Sequence, residues 1–341
     1  MKRAIELALK GLGSVSPNPM VGAVLVVDNQ IIGEGYHMKY GGPHAEVHAI
    51  ESVSDKELLN KSTLYVTLEP CNHFGKTPPC TELIINNQIK NVVIGSVDPN
   101  PIVSGKGIKK LEENGISVTK DILEKECQLL NCRFHTFHLQ KRPYIILKWA
   151  ETANGFIANT DYNSKWISNK YSRKLVHKWR SEEDAVLVGF NTAWYDNPQL
   201  NVRDWNGRNP IRILLDRHLE IPGNYHLLNQ SEKTIIFNTI ENDKSNKVEY
   251  IKINEWSVNE IVKKLYEHNI QSIIIEGGAN TIQKFFDENM WDEARVFQGV
   301  TTYDNGIKAP VLKNAKMTNA ENIQNDTLTY FQNINGNIRD I

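Results

Sequence analysis

Residues 43–46 read Pro-His-Ala-Glu, and residues 69–80 read Glu-Pro-Cys-Asn-His-Phe-Gly-Lys-Thr-Pro-Pro-Cys. His44, Cys71 and Cys80 offer one imidazole and two thiolates, donors that zinc accepts. Three protein donors leave the fourth tetrahedral corner open to water, as a catalytic site requires. Zinc draws the pKa of such a water towards ~7, so a nucleophile is available at neutral pH. Glu46 stands two residues past His44 at the start of the same expected helix. From there its carboxylate can exchange protons with that water without being a ligand. Prolines before His44 and Cys71 suit helix starts, where the helix dipole favours thiolate. A His-x-Glu alone, or two cysteines alone, would carry no weight. The argument is their order and their placing at strand ends and helix starts. Two plainer readings are a closed structural zinc with His73 as fourth ligand, and a thiol redox pair. His48 reads as an ordinary helix residue.

Working outward, the strand AVLVV (23–27) and the strand IIGEGY (31–36) flank Asp28-Asn29, a hairpin signal. A helix is expected over 44–52, a strand over 62–70, a helix over 81–87 and a strand over 92–97 closed by Asp-Pro-Asn-Pro. GIKKLEENG reads as a helix, ISVTK as a strand, and ILEKECQLLNCRFHTFHL as one long helix leading to Lys141-Arg142-Pro143. A second segment opens with the strand YIILKWAET. Apolar runs at 185–189, 211–216, 233–237 and 272–278 alternate with helical stretches at 170–182 and 259–269. That alternation predicts parallel sheets covered by helices. Residues 238–258 read as a surface connection. Glu276-Gly277-Gly278 follows one strand and precedes the helix TIQKFF, so it can offer backbone N–H groups to a pyrophosphate. It is not the dinucleotide fingerprint G-x-G-x-x-G.

Composition bounds the rest. The chain has 341 residues, with 40% hydrophobic and 23% charged residues, the profile of a folded globular chain of about two domains. Lys+Arg at 39 against Asp+Glu at 40 gives net charge −1, which argues against nucleic acid as a partner. No apolar run approaches the ~18 residues of a membrane span. The start, MKRAIELALKGLGS, reads as a short amphipathic helix ending at Gly11 or Gly13 and not as a signal peptide. Four cysteines are too few for a disulfide framework, and a cytoplasmic location is expected. Cys127 and Cys132 read as buried helix residues.

The His-Ala-Glu and Pro-Cys pattern resembles that of the zinc-dependent nucleobase deaminases. Here eight residues, not two, separate the cysteines. With SPNPMVGAV, GPHAE, PCNHFGKTPPC and SVDPNPIVSGKGI, the first half resembles the bifunctional riboflavin-biosynthesis family, a pyrimidine deaminase fused to a reductase. LKWAETANG, SKWIS, KLVHKWR, GFNTAWYDNPQLNVR and IIIEGG resemble that family's reductase half. The resemblance implies an α/β chain, with a cytidine-deaminase-like domain over 1–142 and a dihydrofolate-reductase-like domain over 143–341. It implies Zn2+ and NADPH as cofactors.

By the same resemblance, Asn18, His37 and Lys76 contact the pyrimidine substrate, with Lys76 suited to phosphate. Ala150, Trp166, Thr192, Asp196, Gly277 and Gly278 line the NADPH site. Ser164, Arg180, Leu200, Arg203 and Glu276 line the second substrate site. Three departures stand out: Phe74 and Lys76 replace a histidine and an arginine common in the family, and Asn154 replaces an aspartate before Gly155. The function implied is deamination of 2,5-diamino-6-(5-phosphoribosylamino)pyrimidin-4-one, followed by NADPH reduction of the ribosyl to the ribityl group. The alternative is a deaminase of another nucleobase or of RNA with a non-catalytic second domain. The expected partner is a small pyrimidine ribosyl phosphate, with a homo-oligomer left open.

Overall fold

The structure is a computed structural model that describes residues 1–73, 78–101, 103–162 and 167–336. Lys76, Ser164, Trp166 and the Phe74 departure lie outside the described residues. The chain divides into two compact units that meet in sequence at Lys141 and Arg142.

The first unit runs α1 (Lys2–Leu9), β1 (Gly22–Val27), β2 (Gln30–Tyr36), α2 (Ala45–Glu51), β3 (Thr63–Leu68), α3 (Cys80–Asn86), β4 (Asn91–Ser96), α4 (Lys106–Glu113), β5 (Ser117–Thr119), α5 (Glu124–Leu130) and α6 (Cys132–Gln140). Its sheet has the order β2-β1-β3-β4-β5. The sheet is mixed: the expected hairpin makes β1 and β2 antiparallel, and the expected parallel pairing holds only from β3 through β5. Asp28 (φ 49) and Asn29 (φ 62) make a two-residue turn, and a turn that short can join only antiparallel strands. β3 is antiparallel to β1 and parallel to β4, with Leu68 beside Ser96. The ends of β3 and β4 therefore emerge together at one edge. Leu25, Leu64, Ile84, Ile94 and Leu111 are fully buried in the core. Each such side chain contributes about 1.5–3 kcal/mol of burial.

The single helix expected over 122–139 is two helices. At Asn131 the side chain leaves the helical pattern and pairs twice with the Met20 backbone. It accepts from Met20 N–H and donates to Met20 O, both at 2.8 Å. Those two bonds outcompete helical continuity at that residue.

The second unit runs β6 (Tyr144–Glu151), β7 (Phe156–Ala158), α7 (Lys170–Glu182), β8 (Ala185–Gly189), α8 (Phe190–Asp196), β9 (Ile211–Leu215), β10 (Thr234–Asn238), β11 (Asp243–Ser245), β12 (Val248–Lys252), α9 (Val258–Glu267), β13 (Ser272–Glu276), α10 (Ala279–Asp287), β14 (Glu293–Gln298), β15 (Ile307–Lys308), β16 (Ala315–Ile323) and β17 (Asp326–Asn333). Ten strands form one sheet in the order β11-β12-β10-β9-β8-β13-β6-β14-β17-β16. The strands from β12 to β14 are parallel; β11, β17 and β16 are antiparallel additions. The expected surface connection at 238–258 holds two of these strands, β11 and β12. Val248 and Ile251 are buried there and dock β12 on β10. β8 and β13 are buried at every position, as a sheet covered on both faces demands.

β13 lies between β6 and β8, although it follows both in sequence. The strand order therefore reverses beside it, and a crevice opens at the carboxyl ends of these strands. In open α/β sheets that crevice is where ligands bind.

Candidate functional sites

His44 is the N-cap of α2, with extended backbone (φ −76, ψ 168). Cys71 follows the end of β3, and Cys80 is the first residue of α3. His44 Nδ1 lies 3.2 Å from Cys80 Sγ and 3.5 Å from Cys71 Sγ. The three donor atoms are within 4.8 Å of one another. A tetrahedral zinc with bonds of ~2.0–2.1 Å to nitrogen and ~2.3 Å to sulfur needs N–S edges of roughly 3.5 Å. The donors thus fit zinc in both type and spacing. Among the described residues His73 is not part of this cluster, and the four cysteines are free thiols. The Cys80 N–H donates to Cys71 Sγ at 3.3 Å. A hydrogen bond from Cys80, helped by His44, pushes the Cys71 thiol well below the usual range.

Glu46 is buried in the first turn of α2. Burial, reinforced by the neighbouring Cys71 charge, raises its carboxyl to about 7. His37 is also buried. Its Nδ1 lies 2.9 Å from the Pro43 carbonyl, which can only accept, so Nδ1 carries the proton. Nε2 then accepts from Asn18 Nδ2 at 3.1 Å. Burial holds the His37 pKa below its ordinary value, which favours the neutral ring that these two contacts require. Asn18 thereby has one side-chain N–H committed to His37. Asp98, at the end of β4, is buried, and burial raises its carboxyl to about 6. Asp98 opens the Asp-Pro-Asn-Pro turn, and its burial beside the cluster is a tertiary feature that local sequence does not signal.

In the second unit the crevice holds a cavity of about 1180 Å³. A single small-molecule site usually has ~300–1,000 Å³, so there is room for two ligands side by side. Ala150, Thr192, Asp196, Gly277, Gly278, Arg180, Leu200, Arg203 and Glu276 all line it. Gly277 has φ +152, a backbone that side-chain-bearing residues rarely adopt. The Gly278 N–H donates to Thr192 Oγ1 at 2.8 Å, which ties the glycine loop to α8.

The structure also gives Arg180 a partner that spacing could not reveal. Its Nε and Nη2 donate to the two Glu276 oxygens at 2.6 and 2.8 Å, and its Nη1 to Asn201 O at 3.3 Å. Burial opposes the charge on Glu276, but Arg180 outweighs it with help from Lys148 and His177, and its pKa falls to about 2. Lys148 and His177 line the same cavity and were missed. The Lys148 signal was readable: a lone cation within the apolar run YIILKWAE. Arg203 is exposed, with Nη1 donating to Asn201 Oδ1 at 3.1 Å. Asn154 is a turn cap. Its Oδ1 accepts from Thr152 Oγ1 at 2.8 Å and Tyr303 N–H at 3.2 Å, and its Nδ2 donates to Tyr303 O at 2.7 Å. A carboxylate could not make the last of these bonds.

A His-Cys-Cys cluster of zinc-type donors on a five-stranded sheet, followed by a ten-stranded sheet with a ligand crevice, makes this a two-domain α/β protein with a metal site in one unit and a ligand site in the other. Residues 1–96 match the family model of the cytidine and deoxycytidylate deaminase zinc-binding region, and residues 143–301 that of the RibD C-terminal domain. The riboflavin biosynthesis protein RibD of Aquifex aeolicus (strain VF5) is 43% identical over 348 residues, covering 97% of this chain and 97% of the relative. That of Actinobacillus pleuropneumoniae is 40% identical over 292 residues, covering 82% and 77%. A solved structure, the diaminohydroxyphosphoribosylaminopyrimidine deaminase/5-amino-6-(5-phosphoribosylamino)uracil reductase of Thermotoga maritima, matches with TM-score 0.89 at 43% identity, over 98% of this chain and 97% of that one. Acinetobacter baumannii RibD matches with TM-score 0.88 at 32% identity, over 97% of each chain. The chain belongs to the RibD family of riboflavin biosynthesis proteins. It is a bifunctional enzyme, with a deaminase domain followed by a reductase domain. Among the described residues, no helix is long and apolar enough to cross a membrane.

Proposed function

We propose that the first unit removes the 2-amino group of 2,5-diamino-6-(5-phosphoribosylamino)pyrimidin-4-one, and that the second reduces the ribosyl group of the product to ribityl with NADPH. The observation that carries this reading is the three-donor cluster with buried Glu46 beside it, on a chain whose second unit has a cavity large enough for cofactor and sugar phosphate. His44, Cys71 and Cys80 would hold zinc, which supplies Lewis acidity to activate water near neutral pH. Glu46 takes the proton from the attacking water and returns it to the leaving amine. A carboxyl raised by burial serves both directions near neutrality. Asn18, oriented by His37, would offer its side-chain carbonyl oxygen to a ring or amino N–H of the pyrimidine.

In the second unit, NADPH supplies the hydride, and the protein binds, orients and excludes water. The Gly277-Gly278 backbone at the start of α10 suits the cofactor's pyrophosphate. Lys148 and Arg203 line the cavity as cations for the sugar phosphate, and Arg180 is held in place by Glu276. The test is a coupled assay of the purified chain with the diaminopyrimidine phosphate and each nicotinamide in turn, with zinc measured in the same sample. Ammonia release followed by NADPH oxidation is expected. Ammonia from cytidine or tRNA, and none from the diaminopyrimidine, would overturn it.

A further inference from the structure

We propose that Glu69 is a positioning residue of the deaminase site: its carboxylate fixes the peptide that carries Cys71, and with it the direction in which that sulfur faces His44 and Cys80. Glu69 is buried, follows β3 directly and stands two residues before Cys71. Its oxygens accept from four backbone N–H groups. Oε2 receives Gly105 at 2.9 Å and Asp98 at 3.3 Å; Oε1 receives Gly107 at 2.9 Å and Ile108 at 3.3 Å. These donors span the segment from the end of β4 through the first turn of α4. First-turn amides have no acceptor within their own helix, and a carboxylate satisfies both the orphan donors and the helix dipole. Glu69's own N–H is anchored to Ser96 O at 3.0 Å.

The clamp grips the ligand-bearing peptide from both sides. A Cβ on Gly107 would lie 2.0 Å from the Pro70 carbonyl oxygen, so α4 starts in direct contact with the peptide preceding Cys71. Past Cys71, Asn72 donates to Lys106 O on the same helix at 3.4 Å and accepts from Thr81 Oγ1 of α3 at 3.0 Å, and the Thr81 N–H donates to Cys71 O at 3.2 Å. Cys71 lies in neither helix nor strand. Its sulfur therefore has no regular element to orient it, and the bonds of its neighbours do so. Zinc–ligand distances tolerate only about ±0.2 Å, so a loosened peptide costs metal affinity.

Glu69→Gln keeps the volume and removes the charge. Its NH2 group must face one of the two amide pairs, which loses its acceptor. Expected results are faster hydrogen exchange at those amides in the zinc-free protein and a fall in zinc affinity of about 10–100-fold in chelator competition. The cobalt-substituted protein should show a changed thiolate-to-metal absorption band. Deaminase kcat should fall with KM little altered, while reductase turnover stays within about twofold, an internal check of folding. A folded Glu69→Gln protein with wild-type zinc affinity and cobalt spectrum overturns the proposal, whatever its activity. If this variant does not fold, Glu69→Asp keeps the charge but cannot reach both amide pairs. A smaller loss of zinc affinity is then expected, and wild-type affinity again overturns the proposal. Only the kcat arm rests on the deaminase reading. A wild-type chain that releases no ammonia defeats that reading, while metal affinity still decides this one.

Discussion

Replacing Glu276 by Gln tests the reading of the reductase crevice most sharply. In the folded chain Glu276 is held to a pKa of about 2, against an ordinary 4.5, because Arg180, Lys148 and His177 outweigh the penalty of burial. That difference corresponds to on the order of 3 kcal/mol. The figure agrees with the roughly 3–5 kcal/mol lost when one partner of a buried pair is removed and the other is left uncompensated. The sign follows from the direction of the shift. A depressed acid contributes its full stability above its unfolded pKa and loses it as pH falls towards the folded value. The gap between wild type and Glu276→Gln should therefore be about 3 kcal/mol at pH 7, and should close as pH drops from ~4.5 towards ~2. The assay is urea unfolding followed by intrinsic fluorescence. All seven tryptophans, at positions from Trp149 to Trp291, fall after Arg142 in the second unit, so tryptophan-selective excitation reports that unit alone. A difference below about 1 kcal/mol at pH 7, or a gap that does not change with pH, would show that the Arg180–Glu276 contact does not carry the charge balance assigned to it.

Glu46→Gln should keep stoichiometric zinc while deaminase kcat falls about 10²–10⁴-fold, the range for losing a general acid–base group; substantial retained turnover would remove Glu46 from the proton path. Stripping zinc with a chelator should abolish deamination and leave both reductase turnover and tryptophan fluorescence unchanged, because the donors and the cavity belong to separate units. Gly277→Ala forces a side chain onto a φ of +152 and sets its Cβ 3.0 Å from Thr192 Oγ1. The KM for NADPH should rise about tenfold or more with deamination untouched, and an unchanged KM would take the glycine loop out of cofactor binding.

The strongest sequence signals were local. Apolar runs with turn residues between them placed most strands and helices near their observed bounds, because period and turn chemistry depend only on near neighbours. Two local readings failed for long-range reasons. Asn131 breaks its helix to pair with Met20, far back in the chain, and Val248 and Ile251 convert a polar-looking connection into a strand by docking on β10. The antiparallel start of the first sheet was legible in the Asp28-Asn29 hairpin, because a two-residue turn fixes the direction of its flanking strands.

By itself, the chain's order of residues determined which chemistry was available: an imidazole and two thiols for zinc, a carboxyl beside them, and a glycine pair between a strand and a helix. Ligand type and helix start are properties of a few adjacent residues, so one dimension suffices to read them. Only the folded chain decided the partnerships. Arg180 meets Glu276 across 96 positions, and Glu69 reaches amides 29 to 39 positions away. The energies that set these pairings arise from burial, where a charge must find a counter-charge or a cluster of donors, and burial is a property of the packed whole.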